Sequence, residues 1–73
     1  MKSIKVRELL RILRAYGCEQ LRQKGSHRVM RCGTCQTTVA GNPGDTIPSG
    51  TMRKIEKHLE PCLGEQWLER ATR

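Results

Sequence analysis

The chain has 73 residues, with 14 Lys and Arg against 7 Asp and Glu, a formal charge of +7 and a pI near 9.8. A chain this short buries only about 60% of its unfolded surface, which excludes a large enclosed active site and points to one domain over residues 1–73. Seven excess positive charges point to a polyanionic partner: nucleic acid first, then an acidic protein, then a membrane surface. With no Phe, one Trp and one Tyr, the chain is poorly equipped to stack successive bases on aromatic rings. Contact with phosphate and the backbone of folded RNA is the expected mode.

The first five residues lead into a charged amphipathic stretch and not into a continuous apolar run, so neither a targeting segment nor a membrane span is expected. The chain therefore reads as cytoplasmic, and its four cysteines as thiols, not a disulfide framework. From Ser3 to Tyr16 the pattern is helical. Val6, Leu9, Leu10 and Leu13 fall at i, i+3, i+4 and i+7, Lys5, Arg7, Arg11 and Arg14 cover the other side, Ser3 is the expected N-cap and Gly17 the left-handed C′ residue. Three extended segments follow at about 18–23, 26–32 and 36–40, separated by Lys24-Gly25 and Gly33-Thr34, both tight-turn chemistry. Leu21 and Val39 are the expected inward residues of the outer strands. In the middle strand either Val29 or Met30 can face the core, so parity leaves the direction of His27 open. Residues 41–45 form a loop. A second helix opens at Pro48-Ser49-Gly50-Thr51, capped by Ser49 or Thr51, with Met52, Ile55 and Leu59 as its buried stripe and Pro61 as its stop. A short tail helix docks through Trp67 and Leu68. The fold class is α+β: an α-β-β-β-α order with a three-stranded antiparallel sheet, helices on one face, a core at about 3–60 and a tail at 61–73.

Two histidines are present. His27 follows the turn Lys24-Gly25-Ser26 and is flanked in sequence by Arg22, Lys24 and Arg28. Imidazole titrates near neutral pH and can take the proton of a ribose 2′-hydroxyl while neighbouring cations hold the phosphate. The bland reading of a lone strand histidine is structural. His58 reads as part of a solvated basic helix face, with a catalytic acid role as the weaker reading. Cys32-Gly33-Thr34-Cys35 has zinc-knuckle spacing, but a structural zinc site needs four ligands, and the second pair would have to come from Cys18 and Cys62, far away in sequence. A thioredoxin-type pair opens a helix, whereas this one sits in a strand turn. Incidental thiols are the default. The carboxylates are dispersed, which disfavours a two-metal nuclease. No metal and no small-molecule cofactor are expected.

Arg22-Gln23-Lys24-Gly25-Ser26-His27-Arg28 resembles the R-x-x-G-S-H signature of the HicA (YcfA-like) toxins of toxin–antitoxin systems. Gly50-Thr51-Met52-Arg53-Lys54-Ile55 resembles that family's G-T-L-R-x-I at the start of the second helix. The resemblance spans roughly residues 3 to 60. It implies a fold similar to double-stranded RNA-binding domains, mRNA interferase activity that depends on the signature histidine, and neutralisation by a HicB antitoxin. The role of that histidine falls on His27. The chain departs from the family pattern in two places. Val39-Ala40-Gly41-Asn42-Pro43-Gly44 has Asn42 where many members carry a second histidine, and the Cys32–Cys35 pair has no functional account within the family.

The expectation is thus a metal-independent endoribonuclease toxin acting on mRNA. His27 is its general base, and Arg22, Lys24, Gly25, Ser26, Arg28 and Lys54 are its RNA-contacting residues. The competing readings are a non-catalytic RNA-binding module of the same fold and a small zinc-bound interaction protein.

Overall fold

The computed structural model describes residues 3–72. Met1 and Lys2, where the reading on targeting begins, and Arg73 lie outside the described residues. Val6, Leu9, Leu10 and Leu13 are buried as their spacing predicts, and Ile12 joins them on the inner face of α1 (Val6–Ala15). Its N-terminus departs from the sequence reading. Lys5 and not Ser3 occupies the N-cap, without a side-chain cap bond. The first-turn amides are satisfied by the later loop instead: Val6 N–H donates to the Asp45 carbonyl at 2.9 Å and Arg7 N–H to the Pro43 carbonyl at 3.1 Å. Backbone donors at a helix start need some acceptor, and here tertiary structure supplies it. At the other end Gly17 takes φ +84°, as expected of a C′ glycine.

The strands are β1 (Glu19–Lys24), β2 (His27–Cys32) and β3 (Cys35–Ala40), in the order β1-β2-β3 with both pairings antiparallel. Two-residue turns join them. Gly25 and Gly33 stand first in each turn at φ +59° and +62°, the glycine position of a type II′ hairpin. Arg28, Met30 and Cys32 of β2, with Thr37 and Val39 of β3, are buried beneath the helices. The alternate residues His27, Val29 and Arg31 therefore face the open side, where Arg31 pairs with Glu19. Leu21 is not an inward residue. The pairing register shifts between Gln20 and Arg22, and Leu21 sits in that irregularity, 40% exposed. A bulge re-aims one side chain without altering the composition of the strand.

Met52, Ile55 and Leu59 of α2 (Ser49–Leu63) complete one core cluster with α1 and the sheet. Pro48 is the N-cap of α2, and neither Ser49 nor Thr51 makes the expected capping bond. Pro61 lies inside the helix and does not stop it. Proline removes only its own N–H and disturbs the carbonyl four residues earlier. Near a helix end, with Pro61 and Lys57 exposed, that loss is met by solvent. Gly64, at φ +96°, closes the helix with its N–H on the Glu60 carbonyl at 2.8 Å. The tail helix α3 (Trp67–Ala71) docks as predicted. Trp67 and Leu68 are fully buried, the Trp67 indole N–H donates to the Glu56 carbonyl at 2.9 Å, and Tyr16 meets the indole edge to face at 5.7 Å.

The expectation of free thiols is overturned. Cys18 is bonded to Cys32 and Cys35 to Cys62, so neither half of the Cys32-Gly33-Thr34-Cys35 motif pairs with the other. The hairpin places Cys32 and Cys35 side by side across β2 and β3. The end of α1 brings up Cys18 and the last turn of α2 brings up Cys62, an encounter that sequence separation hides. No helix among the described residues is long and apolar enough to cross a membrane.

Candidate nucleic-acid interface

His27 is the first residue of β2, and its position follows from the turn before it. Gly25 supplies the positive φ that lets Lys24 and His27 stand directly opposite each other across the hairpin. Three hydrogen bonds brace this corner. Gln23 Nε2 donates to the Gly25 carbonyl at 2.9 Å, Gly41 N–H to the Ser26 carbonyl at 3.0 Å, and Arg28 Nη1 to the Gly41 carbonyl at 2.8 Å. The histidine backbone is thereby fixed while its side chain is exposed on the open face. Ala40, its partner on β3, is small and leaves that side clear. Lys24 is its direct neighbour on β1. Arg22, opposite Val29, is its diagonal neighbour, within reach of a long side chain.

The RNA-contacting candidates therefore divide. Arg22, Lys24 and Lys54 are exposed cations, and Gly25 and Ser26 form the turn. Arg28 is different: it is 8% exposed, lies on the helix side of the sheet and holds the loop through Gly41. Its side chain ties strand to loop and is turned away from the face that carries His27, which corrects its reading as a phosphate contact. Asn42 is exposed, and its backbone is locked in a reciprocal turn with Asp45, the Asn42 N–H on Asp45 Oδ2 and the Asp45 N–H on the Asn42 carbonyl, both at 2.9 Å.

A groove of about 390 Å³ runs over the edge between the sheet and α2. Arg22, Val29 and Thr38 line it from the open side of the sheet, and Thr51, Lys54 and His58 line it from the helix. His58 Nδ1 lies 3.0 Å from Thr37 Oγ1, so its ring is oriented across the helix–strand contact. The sequence reading set His58 apart as solvated basic surface. The signal that could have placed it is spacing: Thr51, Lys54 and His58 fall at i, i+3 and i+7, one stripe beside the buried Met52–Ile55–Leu59 stripe. His27 does not line the groove, but Arg22 and Val29 border both. The surface thus runs from an imidazole at the hairpin corner, past Arg22, to a second imidazole and Lys54 on α2. The first turn of α2, which opens onto this groove through Thr51, carries no acidic residue, so the partial positive charge of the helix start is left for an anion.

Chemically, this surface can hold phosphates and present a proton acceptor to a neighbouring hydroxyl. No three metal-ligating side chains stand free together among the described residues. In comparison with known families, residues 6–60 match that described as the HicA toxin of bacterial toxin–antitoxin systems. Neither a curated protein nor a solved structure gives a match.

Proposed function

Because the chain belongs to the HicA toxin family of bacterial toxin–antitoxin systems, we propose that it is an endoribonuclease of the cytoplasm that cleaves messenger RNA. The observation that carries this reading is the exposed His27, fixed by its turn directly opposite Lys24, with Arg22, on the same strand as Lys24, its diagonal neighbour. His27 takes the proton of a ribose 2′-hydroxyl. The oxygen attacks the adjacent phosphorus, the bond to the 5′-oxygen of the next nucleotide breaks, and that oxygen takes a proton from water to leave as a hydroxyl. Lys24 and Arg22 offset the charge that develops on the phosphoryl oxygens. Lys54, across the groove, holds a phosphate further along the strand. One positioned base contributes about 10²–10⁴-fold, so the enzyme is slow.

A toxin of this family has an antitoxin partner. We take that partner to be HicB-like, with an acidic surface that meets the +7 chain and covers the His27 corner. One observation favours a second reading, an RNA-binding module without catalysis: Asn42 stands in the loop position where many members of the family carry a histidine.

Product ends separate the two. Attack by the 2′-hydroxyl leaves a 2′,3′-cyclic phosphate and a 5′-hydroxyl. The first reading expects these ends from RNA incubated with purified protein in excess chelator. Salt-sensitive binding without products supports the module, and 5′-phosphate ends refute the mechanism.

A further inference from the structure

The four cysteines lie outside the RNA-binding surface and play no part in the proposed cleavage. Their arrangement is nonetheless specific. Cys32 and Cys35 are direct register partners flanking the Gly33-Thr34 turn, so their β-carbons stand about 4.5–5.5 Å apart on one face. The Cys18 sulfur is bonded to that of Cys32 and the Cys62 sulfur to that of Cys35. Two sulfurs come from a hairpin, one from Cys18, three residues beyond the end of α1, and one from the last turn of α2. All four meet at one end of the sheet. The turn closes over Cys62: Thr34 Oγ1 lies 3.7 Å from its sulfur, and a β-carbon at Gly33 would sit 3.8 Å from it. Cys18 and Cys32 are buried, whereas Cys62 is exposed and leaves an entry path.

We infer that the reduced chain binds one Zn²⁺ ion through the thiolates of Cys18, Cys32, Cys35 and Cys62. Cys-x-x-Cys on a hairpin plus two further cysteines is the ligand set of a closed structural zinc site. With Zn–S near 2.3 Å, the sulfurs of a tetrahedral site stand about 3.8 Å apart. Reduction frees both sulfurs of each pair, and rotation of the cysteine side chains among their staggered rotamers can bring them to that spacing. An all-sulfur tetrahedral set selects zinc over hard cations. The chemistry balances as two steps. A dithiol reductant delivers four electrons and four protons to the two disulfides, giving four thiols and oxidised reductant. Zn²⁺ then displaces the four thiol protons and leaves a site of net charge −2. While both disulfides stand, the four sulfurs are not available as thiolate ligands, and no cysteine is free among the described residues. Disulfide and zinc states join the same four positions, so each holds α2 against the hairpin.

The test uses the full chain, reduced and freed of metal, with Zn²⁺ or Co²⁺ as the only added ligand. Retention of one zinc per chain after gel filtration is expected, with all four thiols protected from alkylation. Cobalt should give thiolate-to-metal charge-transfer absorption and tetrahedral d–d bands. Loss of even an outer-shell partner weakens metal sites by 10–100-fold, so Cys62→Ser, which retains the Cys18–Cys32 pair, should weaken cobalt binding by at least about 10²-fold. An unfolded reduced apo chain does not blunt the test, because ligation is read from the cobalt spectrum and metal binding drives folding. Less than one zinc per chain at saturating metal, an octahedral cobalt spectrum, or unchanged affinity in Cys62→Ser overturns the inference. None of these readouts depends on RNA cleavage.

Discussion

The two hairpin turns of this sheet are built alike and used differently. Gly25-Ser26 and Gly33-Thr34 both have two residues, and both open on a glycine of nearly the same φ, +59° and +62°. They lie at opposite ends of β2. The pair flanking the first is Lys24 and His27, a lysine and an imidazole, both exposed on the open face. The pair flanking the second is Cys32 and Cys35, on the helix face and each bonded to a cysteine from outside the sheet. Turn chemistry fixes where a pair of side chains stands; the flanking residues and the face they occupy decide whether that place reacts or holds.

Breaking the holding end should have the largest effect on stability. The Cys18–Cys32 and Cys35–Cys62 bridges span 14 and 27 residues. Closing loops of such length stabilises by about 3–3.5 kcal/mol each. Reduction in excess chelator should therefore lower the free energy of urea unfolding by several kcal/mol, and an unchanged midpoint would show that this end does not secure the fold. A smaller effect tests the shared design. Gly25→Ala and Gly33→Ala meet no steric obstacle, with nothing within 4 Å at the first and only an ordinary contact with Cys62 at the second. Each should cost about 1–2 kcal/mol from the positive φ alone. A large inequality between the two would break the equivalence of the turns. Smallest in stability is Lys54→Ala at an exposed helix position, within about 0.5 kcal/mol. Its expected signature is a reduction of about 1 in the salt slope of RNA binding, and an unaltered slope would remove Lys54 from the interface.

Much of this was legible from pattern. The α1 stripe, Val39, the α2 stripe, both hairpin glycines and the docking of Trp67 all stand where periodicity and turn chemistry put them. What pattern missed has physical causes. Both Val29 and Met30 are apolar, so the direction of His27 needed the packing of Met30 beneath the helices. Leu21 sits at a register shift, which period-2 reasoning does not contain. The start of α1 is satisfied by loop carbonyls from residues 43 and 45, a tertiary substitute for the expected Ser3 cap. Arg28 resembles its cationic neighbours in sequence, but strand parity turns it inward to Gly41. The meeting of four cysteines is a property of topology: residues 18 and 62 converge only once the sheet and both helices are in place.

The central claim is that the Lys24–His27 corner is the reactive end. Its most direct measurement is RNA cleavage by the wild-type chain and by His27→Ala, in excess chelator, with melting temperatures compared in parallel. The substitution is at an exposed position, so stability should stay within about 0.5 kcal/mol while cleavage falls by about 10²–10⁴-fold. Undiminished cleavage by a stably folded His27→Ala chain would contradict the account.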